Sequence, residues 1–153
     1  ISDNSSFVIS GIELKNRSWS DTTGLIQGVT TITSSNEAKK DFNGFQNTQS
    51  IAEYTHASAA YECTVTQFKN GQMGYLASVG EWMEIINNLD EINKCMSLID
   101  GLDIDKNATS YWTSTQYNYE KAWLVTYNGN EIYPNDERKS NPSYAIRVIS
   151  QLK

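Results

Sequence analysis

The carboxylates best placed for acid–base chemistry are Glu120, Asp136 and Glu137, in the last third of the chain. Paired carboxylates are the usual tools of hydrolytic acid–base work. No nucleophile with a base partner accompanies them, and nothing in the spacing fixes their separation. His56 is the single histidine and stands inside a helical pattern without a partner motif, which reads as an exposed or hydrogen-bonded side chain. Cys63 and Cys95 are far apart, each in a helical pattern, with no Cys-x-x-Cys spacing, so a zinc site is not supported. They are either a disulfide between two packed helices or, the favoured reading, two buried free thiols acting as small hydrophobes. Asp103-Ile104-Asp105-Lys106-Asn107 has the Asp-x-Asp-x-Asn start of a calcium loop. It lacks the glycine and terminal glutamate at EF-hand offsets and reads as a solvated connector. The expectation is a chain without metal, cofactor or catalytic residues.

Recognition chemistry, in contrast, is dense between Tyr111 and Val148. Tyr117, Asn118, Tyr119, Leu124, Thr126, Asn128, Asn130, Tyr133, Asn135 and Asp136 form the candidate ligand-binding set. Tyrosine offers a large rigid contact area at low entropy cost, and asparagine adds adaptable hydrogen bonds, the mixture that antibody paratopes use. A tyrosine-rich patch is a candidate hot spot.

The totals bound what can present such a surface. The chain has 153 residues, enough for one domain with its own core. Its 39% hydrophobic and 20% charged composition is that of a folding chain. A net charge of -6 with no basic cluster argues against phosphate-driven nucleic-acid binding. No apolar run is long enough to span a bilayer. The first residues contain neither an initiator methionine nor a basic and hydrophobic leader, so the chain reads as a mature or excised fragment.

Positioning falls to two helices and several strands. Phe7-Val8-Ile9 and Ile12-Glu13-Leu14 read as short strands separated by a Ser10-Gly11 turn, and Val29 to Thr33 is strand-like. Trp19 reads as a core anchor for its polar loop, or else as part of an interface with a missing neighbour. A first helix, capped by Asn47 or Thr48, is predicted through Ile51, Tyr54, Thr55, Ala59, Ala60 and Cys63. The second has a capping box at Ser78 and Glu81 and an apolar stripe of Trp82, Ile85, Ile86, Leu89, Ile92, Met96 and Ile99, ending at Gly101. Asn128-Gly129 predicts a two-residue hairpin turn pairing Val125 with Ile132 and Leu124 with Tyr133. Alternation then sends Trp123, Val125 and Ile132 inward and Leu124, Thr126, Glu131 and Tyr133 outward. With strands at Tyr111 and at Tyr144 to Ile149, an antiparallel sheet beside two helices is expected, an α+β fold.

Five motifs carry a family resemblance: Asp41-Phe42-Asn43-Gly44 with Asn47-Thr48, Gly74-Tyr75-Leu76-Ala77-Ser78-Val79-Gly80-Glu81-Trp82, Tyr111-Trp112-Thr113-Ser114-Thr115, Ala122-Trp123, and Tyr144-Ala145-Ile146-Arg147-Val148. In this order they resemble C-type lectin-like domains of the formylglycine-generating-enzyme type, over about residues 41–153. Residues 1–40 then read as N-terminal strands and loops leading in. The resemblance implies two helices, a twisted antiparallel sheet and a C-terminal binding surface. Some members are targets of diversity-generating retroelements, whose variable positions are of the Asn, Tyr, Ser and Asp kind. It implies a receptor-binding or adhesin domain on a bacterial surface or virion tail, binding a protein or glycan receptor, trimeric if part of a tail fibre. A structural or assembly domain of a fibre or pilus is the alternative. The sugar-binding Glu-Pro-Asn and Trp-Asn-Asp calcium motifs are not matched by Tyr133-Pro134-Asn135-Asp136. The cysteine pair of the formylglycine-making oxidase has no counterpart after Cys95.

Overall fold

The computed structural model describes residues 6–104, 109–127 and 132–152. Among these residues six strands are arranged with five helices: β1 (Phe7–Arg17), α1 (Ser35–Ala38), α2 (Gly44–Tyr54), α3 (Ala59–Thr64), β2 (Gly74–Leu76), α4 (Val79–Asn87), α5 (Leu89–Leu98), β3 (Thr109–Gln116), β4 (Lys121–Tyr127), β5 (Ile132–Arg138) and β6 (Tyr144–Gln151). The fold is α+β with one sheet in the order β1-β6-β3-β4-β5, and β2 pairs with β6 off that path. The sheet is mixed rather than wholly antiparallel, because β3 and β6 run parallel where Tyr111 meets Ala145.

Several local expectations change on packing. Ser10-Gly11 does not turn the chain; it makes a register shift within one long strand paired to β6. The reason lies across the fold, where a Cβ on Gly11 would stand 3.2 Å from the Gly101 Cα. Two glycines let the strand and the connector after α5 cross closely. Val29 to Thr33 forms no strand; among the described residues it makes an isolated bridge, Thr31 to Gln116.

The first predicted helix is two. It stops at Tyr54, and Ser58 caps α3 by accepting from the Tyr61 N–H. Asn47 and Thr48 are not caps but buried residues inside α2. Asn47 Oδ1 accepts from the Thr30 N–H at 2.9 Å, and the Thr48 hydroxyl accepts from the Leu76 N–H at 2.9 Å. The second predicted helix also breaks, at Asn88, although its capping box is complete: Ser78 accepts from the Glu81 N–H, and Glu81 accepts from the Ser78 N–H. Its stripe is buried from Trp82 to Met96, except for the half-buried Ile92, but Ile99 is 65% exposed. The chain stops there because Asp100 takes a left-handed φ of 53° and the Gly101 N–H returns to the Met96 carbonyl.

The sheet is covered on both sides. Trp19, Ile26, Val29, Ile51, Trp112, Leu124 and Ile146 share one cluster, and Trp82, Ile85, Leu89, Tyr111, Val125 and Ile149 share the other. Trp19 is fully buried, its indole N–H donating to the Thr113 carbonyl at 2.7 Å. The N-terminal stretch is thus built into the same core as the strands it precedes. The cysteines are unbonded; Cys63 is buried as expected, whereas Cys95 is exposed.

Candidate binding surface

The motif residues that precede α2 and open α4 turn inward. Asp41 Oδ2 accepts from Asn47 at 3.1 Å and from the Thr115 hydroxyl at 2.7 Å. Its other oxygen accepts from the Asn43 N–H at 3.0 Å. Glu81 accepts from the Ser78 N–H at 2.8 Å and from the Tyr75 hydroxyl at 3.4 Å. A side chain at position 44 would overlap the Glu81 carboxylate, which explains the glycine of Asp41-Phe42-Asn43-Gly44. These groups form a buried clasp of α2, α4 and β3, a scaffold and not a site.

The clasp makes stability depend on pH. Burial is the largest influence on Glu81 and pushes its carboxyl up to about 7, against the lowering effect of the Ser78 hydrogen bonds. Between the ordinary carboxylate range and about 7 the folded chain holds this proton and the unfolded chain does not. Its contribution to stability is therefore fully present at the acid end and is lost as pH rises through about 7. Urea midpoints for the parent and Glu81→Gln should show it. The difference between the two should change from pH 5 to pH 8, with the parent gaining on the acid side. A difference that stays constant with pH would contradict it.

On that scaffold β4 and β5 pair as Tyr127 with Ile132, Thr126 with Tyr133, Val125 with Pro134, Leu124 with Asn135 and Trp123 with Asp136. The register lies two residues from the predicted one, since residues 128–131 separate the paired ends. A two-residue shift preserves the faces. Tyr133, Asn135 and Glu137 stay on the side of Thr126 and Leu124, and Asp136 stays on the side of Trp123.

Coverage differs between neighbouring strands. Leu124 faces the predicted way but is 1% exposed, packed into the Trp19 and Trp112 cluster, so it is no part of the contact surface. β5 is the edge strand, and there Tyr133 is 44% exposed and Asn135 is exposed. Thr126 is half-buried, its hydroxyl 2.9 Å from that of Ser110. Glu137 joins this face; its carboxylate accepts from the Tyr144 hydroxyl at 3.1 Å. Burial, then that bond, raises the Tyr144 pKa. Alternation from Tyr133 along β5 points to Glu137 whichever of the two registers holds.

The remaining candidates separate. Tyr117 is half-buried, edge-on to Trp123 at 5.1 Å, and serves the scaffold. Asn118 shapes the β3–β4 turn by accepting from the N–H groups of Glu120 and Lys121. Tyr119 stands on that turn, 56% exposed. Asp136 lies on the Trp123 side, bonded to Lys121 at 2.6 Å, and that bond, then the carboxylate's charge, raises the lysine pKa. Asn128 and Asn130, with the predicted Asn128-Gly129 turn, lie outside the described residues. The structure therefore brings together Thr126, Tyr133 and Asn135 on one strip, with Tyr119 beyond its Arg138 end. From Tyr133 to Arg138 the strip runs roughly 17 Å.

The three carboxylates do not converge. Asp136 and Glu137 are successive strand residues on opposite faces, and Glu120 sits on the exposed turn. Lys139, next along, is 1% exposed; it donates to the Gln116 side-chain oxygen at 2.6 Å and to the Gly24 carbonyl at 2.7 Å and lies 4.8 Å over the Trp19 ring. Burial pulls its ammonium down to about 8. It ties the β5 end to the Gly24 loop. Among the described residues no group of three or more metal-ligating side chains occurs, and no helix is long and apolar enough to cross a membrane.

No family model and no curated protein matches the chain. A solved fimbrial protein from Bacteroides ovatus ATCC 8483 is similar in structure, with a TM-score of 0.68 at 19% identity, over 96% of this chain and 36% of that one. This chain thus spans about a third of the length of the protein it matches.

Proposed function

We propose that this chain is a non-catalytic, C-type lectin-like domain of a bacterial surface appendage, and that it binds a protein or glycan receptor through the exposed strip of β5. The observation that carries the reading is the exposure of Tyr133 and Asn135 on an edge strand whose inner neighbour is packed on both faces. That arrangement holds a rigid aromatic anchor and an adaptable amide on a fixed support. The lectin-like reading draws support from the antiparallel pairing of the first and last strands, and from the motif residues clasping the two helices to the sheet. The fimbrial neighbour favours a bacterial surface over a virion tail. It also favours, as a second reading, an assembly role in the same appendage. Diversification of residues 111–148 by a retroelement is part of the proposal. A near-copy of the encoding segment, differing at adenines, beside a reverse-transcriptase gene would support that part; a neighbourhood with neither removes it.

The test is an array of glycans and extracellular proteins probed with the labelled chain and with Tyr119→Ala/Tyr133→Ala/Asn135→Ala. Loss of the strip should weaken any hit by at least about tenfold, since central aromatic anchors dominate binding. Unfolding midpoints should stay within about 0.5 kcal/mol per site, because all three side chains are exposed. Hits that survive the triple variant unchanged overturn the strip as the site.

A further inference from the structure

The opposite edge of the sheet carries a second surface. Among the described residues β1 pairs only with β6 in the sheet. The Ser6 carbonyl accepts the Leu152 N–H at 3.0 Å on the β6 side. By the alternation of an antiparallel pair, the N–H and C=O groups of Phe7 and Ile9 then face away from β6. Farther along, the Gly11 carbonyl accepts the Leu102 N–H at 2.8 Å from the connector after α5. The chain itself caps the outer edge at Gly11, and among the described residues no other segment pairs with the stretch before it.

Beside that open stretch lies a groove of about 1050 Å³ between β1 and the α4–α5 pair, with Phe7, Ile9, Phe42, Ile92 and Met96 among its walls. Ile99 lines its end at 65% exposed, and nearby stand Leu98 at 84%, Leu102 at 56% and Ile12 at 65%. Apolar exposure on this scale marks an interaction surface. The charged side chains lining the groove are Glu84 and Glu91, both exposed. Glu91 shares its charge with Lys94 at 2.8 Å, and among the described residues no cation pairs with Glu84. An apolar trough with an acidic rim repels fatty acids and acidic segments and attracts a basic one.

We propose that an extended segment of a partner polypeptide adds as a strand to the outer edge of β1 at Phe7–Ile9. Its alternate apolar side chains occupy the groove, and a lysine or arginine reaches Glu84 and Glu91. Backbone pairing supplies affinity and the groove supplies side-chain selection, as in strand addition generally. The site is independent of the β5 strip, since β1 and β5 are opposite edges of the sheet.

Cys95 gives a direct readout, because it is an exposed free thiol lining the groove while Cys63 is buried. Random octapeptides displayed on phage would be selected against the full chain and the enriched sequence synthesised. The expected sequence alternates apolar residues and carries a lysine or arginine. At ten times its Kd it should slow maleimide alkylation of Cys95 about tenfold and protect the Phe7 and Ile9 amides from hydrogen exchange. Glu84→Lys/Glu91→Lys, a change of two exposed residues, should weaken it about tenfold or more while leaving the unfolding midpoint in place. The proposal is overturned if no sequence is enriched, or if bound peptide leaves Cys95 and both amides unprotected. It is overturned equally if Cys95 becomes protected by self-association as the chain is concentrated, for then the occupant is a second copy.

Discussion

Glu13→Ala should destabilise the domain by about 3–5 kcal/mol, although residue 13 lies far in sequence from every motif. The reason is Arg147. Its side chain is fully buried on β6, and Glu13 is its ion-pair partner, 3.2 Å from Nη2. The other contacts among the described residues are neutral: Nη1 donates to the Leu102 carbonyl at 2.7 Å and to the Ser10 carbonyl at 3.2 Å, and Nη2 to the Asp103 carbonyl at 2.9 Å, while Nε finds no partner among those residues. Glu13 also takes the Tyr111 hydroxyl. Removing the carboxylate strands a buried guanidinium, which costs far more than the pair itself contributes. Replacing both partners, as in Glu13→Leu/Arg147→Met, should therefore recover much of the loss. For a domain of this size the single variant should lower Tm by roughly 6–20 °C. Urea denaturation of the parent, single and double variants measures the ordering. A Glu13→Ala loss below about 1 kcal/mol would show that the pair is not buried as described.

Trp112→Ala should cost about 3–5 kcal/mol as well, through a cavity at the junction of three segments. The indole is fully buried, packed edge-on against Tyr144 at 5.3 Å, and its N–H donates to the Arg17 carbonyl at 2.8 Å. Truncation would remove the filling between β3 and β6 and leave the Arg17 carbonyl without its donor. The loss would be a large fraction of the ~5–15 kcal/mol a domain has, so the variant should be partly unfolded or aggregate on expression. Trp112→Phe keeps most of the volume and should restore folding. If the alanine variant unfolds within about 1 kcal/mol of the parent, the indole is not the keystone of this core.

Much of this was legible in the residues. The capping box and stripe of α4 follow from local spacing, as does the alternation that divides Trp123 from Tyr133. What failed depended on packing between distant segments. Helical periodicity runs unbroken through Thr55 and Asn88, yet both helices stop there. Alternation placed Leu124 correctly on its face but could not show that residues 19–29 cover that face. Ser10-Gly11 has turn chemistry, and only the crossing with Gly101 explains why it bends a strand instead. The register slipped by two because Asn128-Gly129 favours a shorter loop than the pairing leaves. Asn47 and Thr48 carry capping chemistry, but that chemistry is used by Thr30 and Leu76 across the fold. Of the carboxylates that first suggested acid–base work, Asp136 and Glu137 are adjacent, and a strand puts adjacent residues on opposite faces, while Glu120 stands apart on the β3–β4 turn.

In the proposed function the exposed strip of β5 meets the receptor while the motif residues only hold it in place. Hydrogen–deuterium exchange on the chain alone and saturated with a receptor from the array tests it most directly. Protection should rise over residues 132–138 and the turn 117–121 and stay unchanged around Asp41, Glu81 and the Phe7–Ile9 edge. Protection confined to the β1 groove, or spread over the clasp with none on β5, would contradict it.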